Sequence, residues 1–173
     1  MSNPGRCSIR LPGYDYSQPG AYFVTICSYQ KQHIFGQVFD QEITLSTEGR
    51  VVQEEWLRTQ DLRQEVILDV FVIMPSHLHA IIFIREQVRA HGHAPIHGHI
   101  PVLLPGHMPI LQRQPRSLGS LVARFKGSVT RRVRKMRADP IFRVWQRNYY
   151  ERIIRNEKEL NAIRRYITDN PFR

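Results

Sequence analysis

Residues 66–84, which read VILDVFVIM-PS-HLHAIIFI, decide how this chain folds. A nearly continuous apolar run is followed by Pro75 and Ser76, and then by a second run that is again rich in apolar residues. A run of this kind is typical of a strand that is covered on both faces, and a Pro-Ser pair favours a turn. The stretch therefore predicts two neighbouring antiparallel strands, the first of them central in a sheet.

The second of these predicted strands opens with His77 and His79. Side chains two residues apart on a strand point to the same face and are separated by about 7 Å along it. Ile81 and Phe83 follow on that face. Two imidazoles so placed can bind one divalent cation. An isolated His-x-His pattern is more often a pair of ordinary histidines at the end of a strand, so the metal interpretation depends on the rest of the chain.

The elements around this hairpin alternate in type. Residues 21–27 are aromatic and β-branched and predict a strand; Ser46 or Thr47 caps a helix that exposes Glu54 and Glu55 to solvent. Residues 144–154 predict a further strand. The order strand, helix, strand, strand, helix, strand, helix predicts an α+β fold, a ferredoxin-like four-stranded antiparallel sheet with helices packed on it and an additional C-terminal helix.

The second helix of this series begins at Ser117 and combines an apolar stripe with a basic surface. The stripe consists of Leu118, Leu121, Val122, Phe125, Val129, Val133 and Met136. The cations are Arg124, Lys126, Arg131, Arg132, Arg134, Lys135 and Arg137, with no acidic residue among them. Such a run is often only a solvated face, but the absence of acids favours contacts with phosphates, and Arg147 joins this predicted nucleic-acid-binding set.

Composition agrees with that partner. The 173 residues carry 25 Lys plus Arg against 15 Asp plus Glu, a formal charge of +10, and nucleic acid is the expected partner. No apolar run is long enough to span a bilayer, and two cysteines, Cys7 and Cys27, without a secretory signal predict a cytoplasmic, nucleoid-associated protein. We expect one domain over residues 1–173, with an N-terminal arm (1–20) and a flexible His/Gly/Pro-rich loop (85–116).

The final helix, which Asn156 caps, carries Tyr166 beside its buried stripe and Asn170 one turn later. A metal held by two imidazoles and one oxygen ligand leaves positions open for a phosphate, which a nearby tyrosine hydroxyl could attack. Tyr149 and Tyr150 are rival nucleophiles. Because adjacent residues of a strand point to opposite faces, at most one of them could reach a common site, and core packing or base stacking explains them better.

Three segments together resemble the REP-associated tyrosine transposases, bacterial relatives of the single-tyrosine HUH transposases. They are MPSHLH at 74–79, WQRNYYERIIRN at 145–156 and YITDNP at 166–171. The similarity extends from RLPGYDY at 10–16 to the last helix and leaves out only the His-rich loop. Each motif alone is weak, whereas their order and spacing together are specific.

The resemblance implies a catalytic domain that cleaves single-stranded DNA at hairpins formed by repetitive extragenic palindromes, through a 5′-phosphotyrosine intermediate. By position, His77 and His79 match the metal-binding pair and Tyr166 matches the nucleophile. Asn170 stands where these enzymes place a further polar metal ligand, commonly Gln in the wider superfamily. The implied cofactor is Mg²⁺ or Mn²⁺, and a monomer is favoured over a dimer.

Two other functions fit the same pattern. A ferredoxin-like sheet with basic helices also describes catalytically silent nucleic-acid-binding modules. A metal nuclease that activates water would need the histidines but no tyrosine. A covalent protein-DNA adduct is expected only for the transposase.

Overall fold

The computed structural model describes residues 14–40, 42–85 and 116–172. The strands are β1 (Gly20–Cys27), β2 (Gly36–Phe39), β3 (Glu42–Leu45), β4 (Val66–Met74), β5 (His77–Ile84) and β6 (Tyr150–Ile154). The helices are α1 (Thr47–Leu62), α2 (Leu118–Arg137) and α3 (Glu157–Thr168), with short 3₁₀ helices at Tyr29–Lys31 and Asn170–Phe172. Most of the predicted arm (1–20) and loop (85–116), with Cys7, lies outside the described residues.

The main sheet has four antiparallel strands in the order β4-β5-β1-β6, which confirms the predicted ferredoxin-like fold. The prediction that Val66–Met74 is central is wrong, because β4 lies at one end of this order. The apolar run has a different cause. Helix α1 contacts β4 and so does α3, and these helices lie on opposite faces of the sheet, so an outer strand is covered twice.

Each face of the sheet has its own apolar core. On one face, α1 and α2 pack against the sheet around Trp56 and Phe125, whose rings meet edge to face with centroids 5.0 Å apart. On the other face, α3 packs through Ile163 and Ile167 against Phe23, Ile81 and their neighbours. Because residues alternate along β1 and β5, His77 and His79 belong to the α3 face.

All three helices begin where the sequence predicts. The side-chain oxygens of Ser46, Ser117 and Asn156 accept hydrogen bonds from backbone N–H groups three residues later. In α3, Glu159 also accepts a hydrogen bond from the backbone N–H of Arg155, an arrangement similar to a capping box.

Several local predictions need correction. Glu55, predicted to be exposed, is only 5% exposed, because α2 covers it and Arg132 pairs with it. Met136, predicted to belong to the apolar stripe, is 42% exposed, because the last turn of α2 extends beyond the surface against which the helix packs. The predicted strand 144–154 is regular only over Tyr150–Ile154, although Trp145 forms an isolated bridge with Ser28. The hairpin of β2 and β3 was not predicted; its short strands carry mostly exposed side chains and little apolar pattern.

Gly49 allows the N-terminus of α1 to approach the backbone of Phe35, which is hydrogen-bonded to the turn before β5. The backbone N–H of Phe35 donates to the carbonyl of Pro75, and the carbonyl of Phe35 accepts from Ser46. A Cβ at position 49 would lie 1.9 Å from that same Phe35 carbonyl oxygen. Gly127, in the middle of α2, would place a Cβ in open space.

Gly49→Ala is expected to lower the free energy of unfolding by several kcal/mol, because backbone atoms would have to move apart. Gly127→Ala is the matched control and should raise it by roughly 0.5–1 kcal/mol, since alanine has the higher helix propensity. Urea denaturation of both variants measures these changes. Equal effects of the two substitutions would contradict the described packing at Gly49.

Candidate active site

The site is built on the first three residues of β5. His77 and His79 point to the α3 face, and their Nε2 atoms lie 3.0 Å apart. Ser76 Oγ lies 3.1 Å from Nδ1 of His77, and Thr25 Oγ1 lies 2.8 Å from Nδ1 of His79. Each ring therefore has a hydroxyl partner on its outer nitrogen, which orients the two Nε2 atoms towards one another.

Burial favours the neutral form of both imidazoles. His79 is 6% exposed, and desolvation together with the charge of His77 lowers its pKa to about 4. Desolvation also lowers the pKa of His77, and the nearby charges of Lys31 and His33 lower it further. Two neutral imidazoles with converging Nε2 atoms are an arrangement suited to a divalent cation.

Tyr166 is brought to the same place by α3. Its hydroxyl lies 3.4 Å from Nε2 of His79, and the ring centroids of the two residues are 5.3 Å apart. Phe23 packs between the elements: its ring is stacked on His79 at 5.4 Å and meets Tyr166 edge to face at 6.2 Å. The structure thus brings His77, His79 and Tyr166 together.

Two ion pairs between α3 and the sheet hold the tyrosine helix in position. Arg164 Nε donates to Asp69 of β4 at 2.7 Å, and Arg152 of β6 pairs with Glu159. The pairs join α3 to both outer strands of the sheet. The position of Tyr166 over His79 therefore depends on ion pairs at both edges of the sheet.

Asn170 is less closely connected to this cluster. It is half-buried and begins the 3₁₀ helix that follows α3, and within the described ranges it makes no hydrogen bond with His77 or His79. Among residues 14–40, 42–85 and 116–172, no group of three or more His, Cys, Asp or Glu side chains is arranged to hold a metal. The role of Asn170 as a ligand stays a prediction.

The histidine pair nevertheless fits a metal ion as two of its ligands. Two nitrogens bound to one ion at about 2.1 Å, at angles between octahedral and tetrahedral values, are separated by roughly 3.0–3.4 Å. The observed separation of the two Nε2 atoms is 3.0 Å. The remaining ligands would come from Asn170, water or a substrate oxygen, as is usual for catalytic metal sites with open positions.

Of the two rival tyrosines, one faces the site and the other does not. Tyr149 packs against the larger core beneath α1 and α2. Tyr150 pairs with Thr25 in the sheet and lies on the α3 face, where its ring centroid is 6.3 Å from that of Phe23. Of these tyrosines, it is Tyr166 whose hydroxyl approaches an imidazole.

The predicted nucleic-acid-binding residues of α2 lie across the sheet from this site, and several are engaged within the protein. Arg132 pairs with Glu54 and Glu55 of α1, and Arg137 pairs with Glu48. Lys126 Nζ donates to the carbonyls of Gln146 and Asn148, Arg134 Nε donates to the carbonyl of Phe142, and Arg131 donates to Ser128. Arg124 and Lys135 are exposed.

A second group of cations lies at the histidine end of the sheet. We call Lys31, Arg143 and Arg147 the basic rim; all three are exposed. Residues 143–147 run beside the end of β1, because Tyr29 N–H donates to the Val144 carbonyl and Gln146 N–H to the Cys27 carbonyl. Ser28 N–H donates to the carbonyl of Ser76, next to His77. In this part of the structure no carboxylate pairs with any of the three cations.

The sequence pattern indicated Arg147 but not Lys31, Arg143 or the hydroxyl partner Thr25. Thr25 is distant from His79 in the chain, and only the strand register reveals their contact. Ser76, by contrast, directly precedes His77 and could have been proposed as its partner from the sequence.

Comparison with known proteins adds to this geometry. No protein-family model matches the sequence. An uncharacterized protein of Haemophilus influenzae is 42% identical over 167 residues, which cover 96% of this chain and 88% of that protein. A structure of a REP-associated tyrosine transposase bound to a REP hairpin has a TM-score of 0.57 at 17% identity, covering 99% of this chain and 73% of that one. The structural likeness shows a common fold.

The low pKa of His79 predicts how stability depends on pH. Unfolding restores an ordinary histidine pKa near 6.5, so the unfolded chain binds a proton that the folded chain excludes until about pH 4. In EDTA, the free energy of unfolding should fall as the pH drops from 7 towards 4, with a contribution from His79 on the order of 3 kcal/mol. Urea denaturation at each pH measures this loss.

His79→Gln should reduce that dependence between about pH 6.5 and pH 4, because the variant has no imidazole to protonate at this position. An identical pH profile for wild type and His79→Gln would show that His79 does not titrate as its burial requires.

Proposed function

Because this chain belongs to one family with the Haemophilus influenzae protein and has the fold of a REP-associated tyrosine transposase, we propose that it cleaves and rejoins single-stranded DNA through a tyrosine nucleophile. One observation carries the proposal. The hydroxyl of Tyr166 lies 3.4 Å from His79 Nε2, and that nitrogen lies 3.0 Å from His77 Nε2. A nucleophile beside a pair of neutral imidazoles is suited to attack on a phosphate.

In the proposed reaction, Tyr166 Oη attacks a DNA phosphorus in line with the bond to the 3′ oxygen. A bond from the tyrosine oxygen to phosphorus forms, the bond to the 3′ oxygen breaks, and the products are a 5′-phosphotyrosine and a free 3′-hydroxyl. The phenol proton leaves to solvent, and the departing oxygen takes one from solvent. Attack by another 3′-hydroxyl reverses the step and joins strands without an external energy source.

The chemistry that a bound Mg²⁺ or Mn²⁺ would supply at His77 and His79, with Asn170 as a proposed further ligand, is Lewis-acid polarisation of a phosphate oxygen. The chain itself orients the nucleophile. Phe23 holds the Tyr166 ring edge to face, and the α3 ion pairs keep the hydroxyl over His79. A neutral imidazole has one nitrogen with a free lone pair, and with the proton on Nδ1, beside the hydroxyl of Thr25 or Ser76, that nitrogen is Nε2.

The proposed substrate is single-stranded DNA beside a hairpin, because the solved relative in fold is bound to a REP hairpin. The basic rim supports this proposal, since Lys31, Arg143 and Arg147 form an exposed positive surface at the end of the sheet that carries His77. On α2, the intramolecular partners of Arg132 and Arg137 compete with phosphate contacts. We therefore assign the DNA-backbone contacts near the site to the basic rim.

Tyr166→Phe should abolish covalent capture of labelled hairpin DNA with a single-stranded flank in Mn²⁺, while hairpin affinity changes less than about threefold, because only the attacking oxygen is lost. Denaturing electrophoresis measures the adduct and fluorescence anisotropy measures binding. Tyr150→Phe, at the other tyrosine on this face, is the matched control and should retain the adduct. EDTA should abolish it in the wild type.

Three outcomes decide between the functions. Hairpin binding without adduct or cleavage in the wild type would make the chain a binding module. Metal-dependent cleavage without an adduct would make it a nuclease that uses water. Loss of both adduct and binding in Tyr166→Phe would assign the tyrosine a structural role.

Replacement of Arg143 and Arg147 by Gln should weaken DNA binding and reduce the slope of log affinity against log salt by about 0.7 for each lost contact with single-stranded DNA. Arg131→Gln with Lys135→Gln removes the same charge from α2 and should leave the slope nearly unchanged. Anisotropy titrations at several salt concentrations measure both slopes. The reverse result would place the DNA backbone on α2, as the sequence pattern predicts.

A further inference from the structure

Tyr150 occupies a position beside the site that the proposed chemistry leaves without a role. It is the first residue of β6 and pairs with Thr25 of β1, which in turn pairs with His79 of β5. Paired residues of an antiparallel sheet point to the same face. The side chains of His79, Thr25 and Tyr150 therefore form one row across the sheet on the α3 face.

The Tyr150 ring contacts a buried ring and is partly exposed to solvent. Its centroid is 6.3 Å from that of Phe23 with an interplanar angle of 68°, so the buried Phe23 supports it from below. The residue is 44% exposed. Phe23 also contacts the rings of His79 and Tyr166, so one buried ring supports the metal-site histidine, the nucleophile and the exposed tyrosine.

The spacing along this row suits DNA. Two strand spacings of about 4.8 Å place Tyr150 about 10 Å from His79 across the sheet, which is within the reach of a nucleotide close to a phosphate held at the histidines. Arg147 of the basic rim is exposed and precedes Tyr150 by three residues, so a cation for the DNA backbone lies close in the chain to the ring. An exposed aromatic ring beside a cationic strip is the arrangement with which proteins bind single-stranded nucleic acid.

We propose that Tyr150 is a stacking platform for one unpaired base within two nucleotides of the scissile phosphate. This inference rests on the proposed function of the site. The contact uses the ring face and not the hydroxyl, so it favours an unpaired base of any identity over a paired one. Tyr150 positions the strand, and Tyr166 remains the nucleophile.

The test removes the base and the ring separately. Hairpin oligonucleotides with one abasic nucleotide at each position around the cleavage site are titrated by anisotropy against the wild type and Tyr150→Ala, and adduct formation is measured in parallel. At one position, loss of the base should weaken wild-type binding roughly five- to one-hundredfold. Tyr150→Ala should bind the intact DNA more weakly than the wild type by a similar factor. Removal of the base at that one position should not weaken its binding further, whereas abasic nucleotides elsewhere should act as they do on the wild type.

Tyr150→Phe and Tyr150→Trp should behave like the wild type, because both keep a ring. Ile141→Ala, at a side chain that is 81% exposed between α2 and β6, is the control for removing exposed apolar area. At saturating DNA, Tyr150→Ala should still form the adduct to within a few-fold of the wild-type yield. A positioning residue thus shifts the half-saturating DNA concentration and not the final yield.

Two results would overturn the proposal. One is an abasic profile for Tyr150→Ala that matches the wild type. The other is an equal loss with every oligonucleotide, accompanied by a lowered melting temperature, which would assign Tyr150 to folding. Absence of an adduct in the wild type with any DNA would instead contradict the proposed function, and the anisotropy profile would still decide whether Tyr150 stacks on a base.

Discussion

The site depends first on the register in which β1 pairs with β5. In this register Thr25 lies opposite His79 and Cys27 lies opposite His77, so that both imidazoles emerge on the α3 face and Thr25 can reach His79 Nδ1. A slip of one residue would turn the histidines into the larger core and bring Leu78 to the α3 face. The packing of Leu78 and Ala80 against α1 and α2 therefore also specifies where the histidines point.

The larger core and the candidate site lie on opposite faces of the sheet. Helices α1 and α2 bury the larger core on one face, and the glutamates of α1 neutralise Arg132 and Arg137 of α2. The opposite face carries a smaller core, the histidine pair, Tyr166 and the exposed Tyr150. Ion pairs join α3 to β4 and β6, and so fix the position of Tyr166 on α3 relative to Tyr150 on β6. The proposed in-line attack needs a nucleophile whose position is fixed in this way.

Much of this arrangement could be predicted from local sequence. Apolar periodicity and the capping residues Ser46, Ser117 and Asn156 located the three helices, and the alternation in HLHAIIFI put His77 and His79 on one face. The order of strands within the sheet could not be read from periodicity, because β4 is an outer strand that two helices cover and looks like a central one. Contacts between residues distant in the chain could not be predicted either, because local periodicity does not say which elements meet. Glu55 pairs with Arg132, and Thr25 contacts His79.

The central claim is that Tyr166 becomes joined to DNA, and the sequence makes a direct measurement possible. After incubation with hairpin DNA and Mn²⁺, the protein is digested with nuclease and trypsin and its peptides are analysed by mass spectrometry. Cleavage after Arg165 releases residues 166–173, whose only tyrosine is Tyr166, whereas Tyr149 and Tyr150 fall in residues 148–152. We predict a nucleotide on residues 166–173. A nucleotide on residues 148–152, or DNA cleavage with no modified peptide, would contradict it.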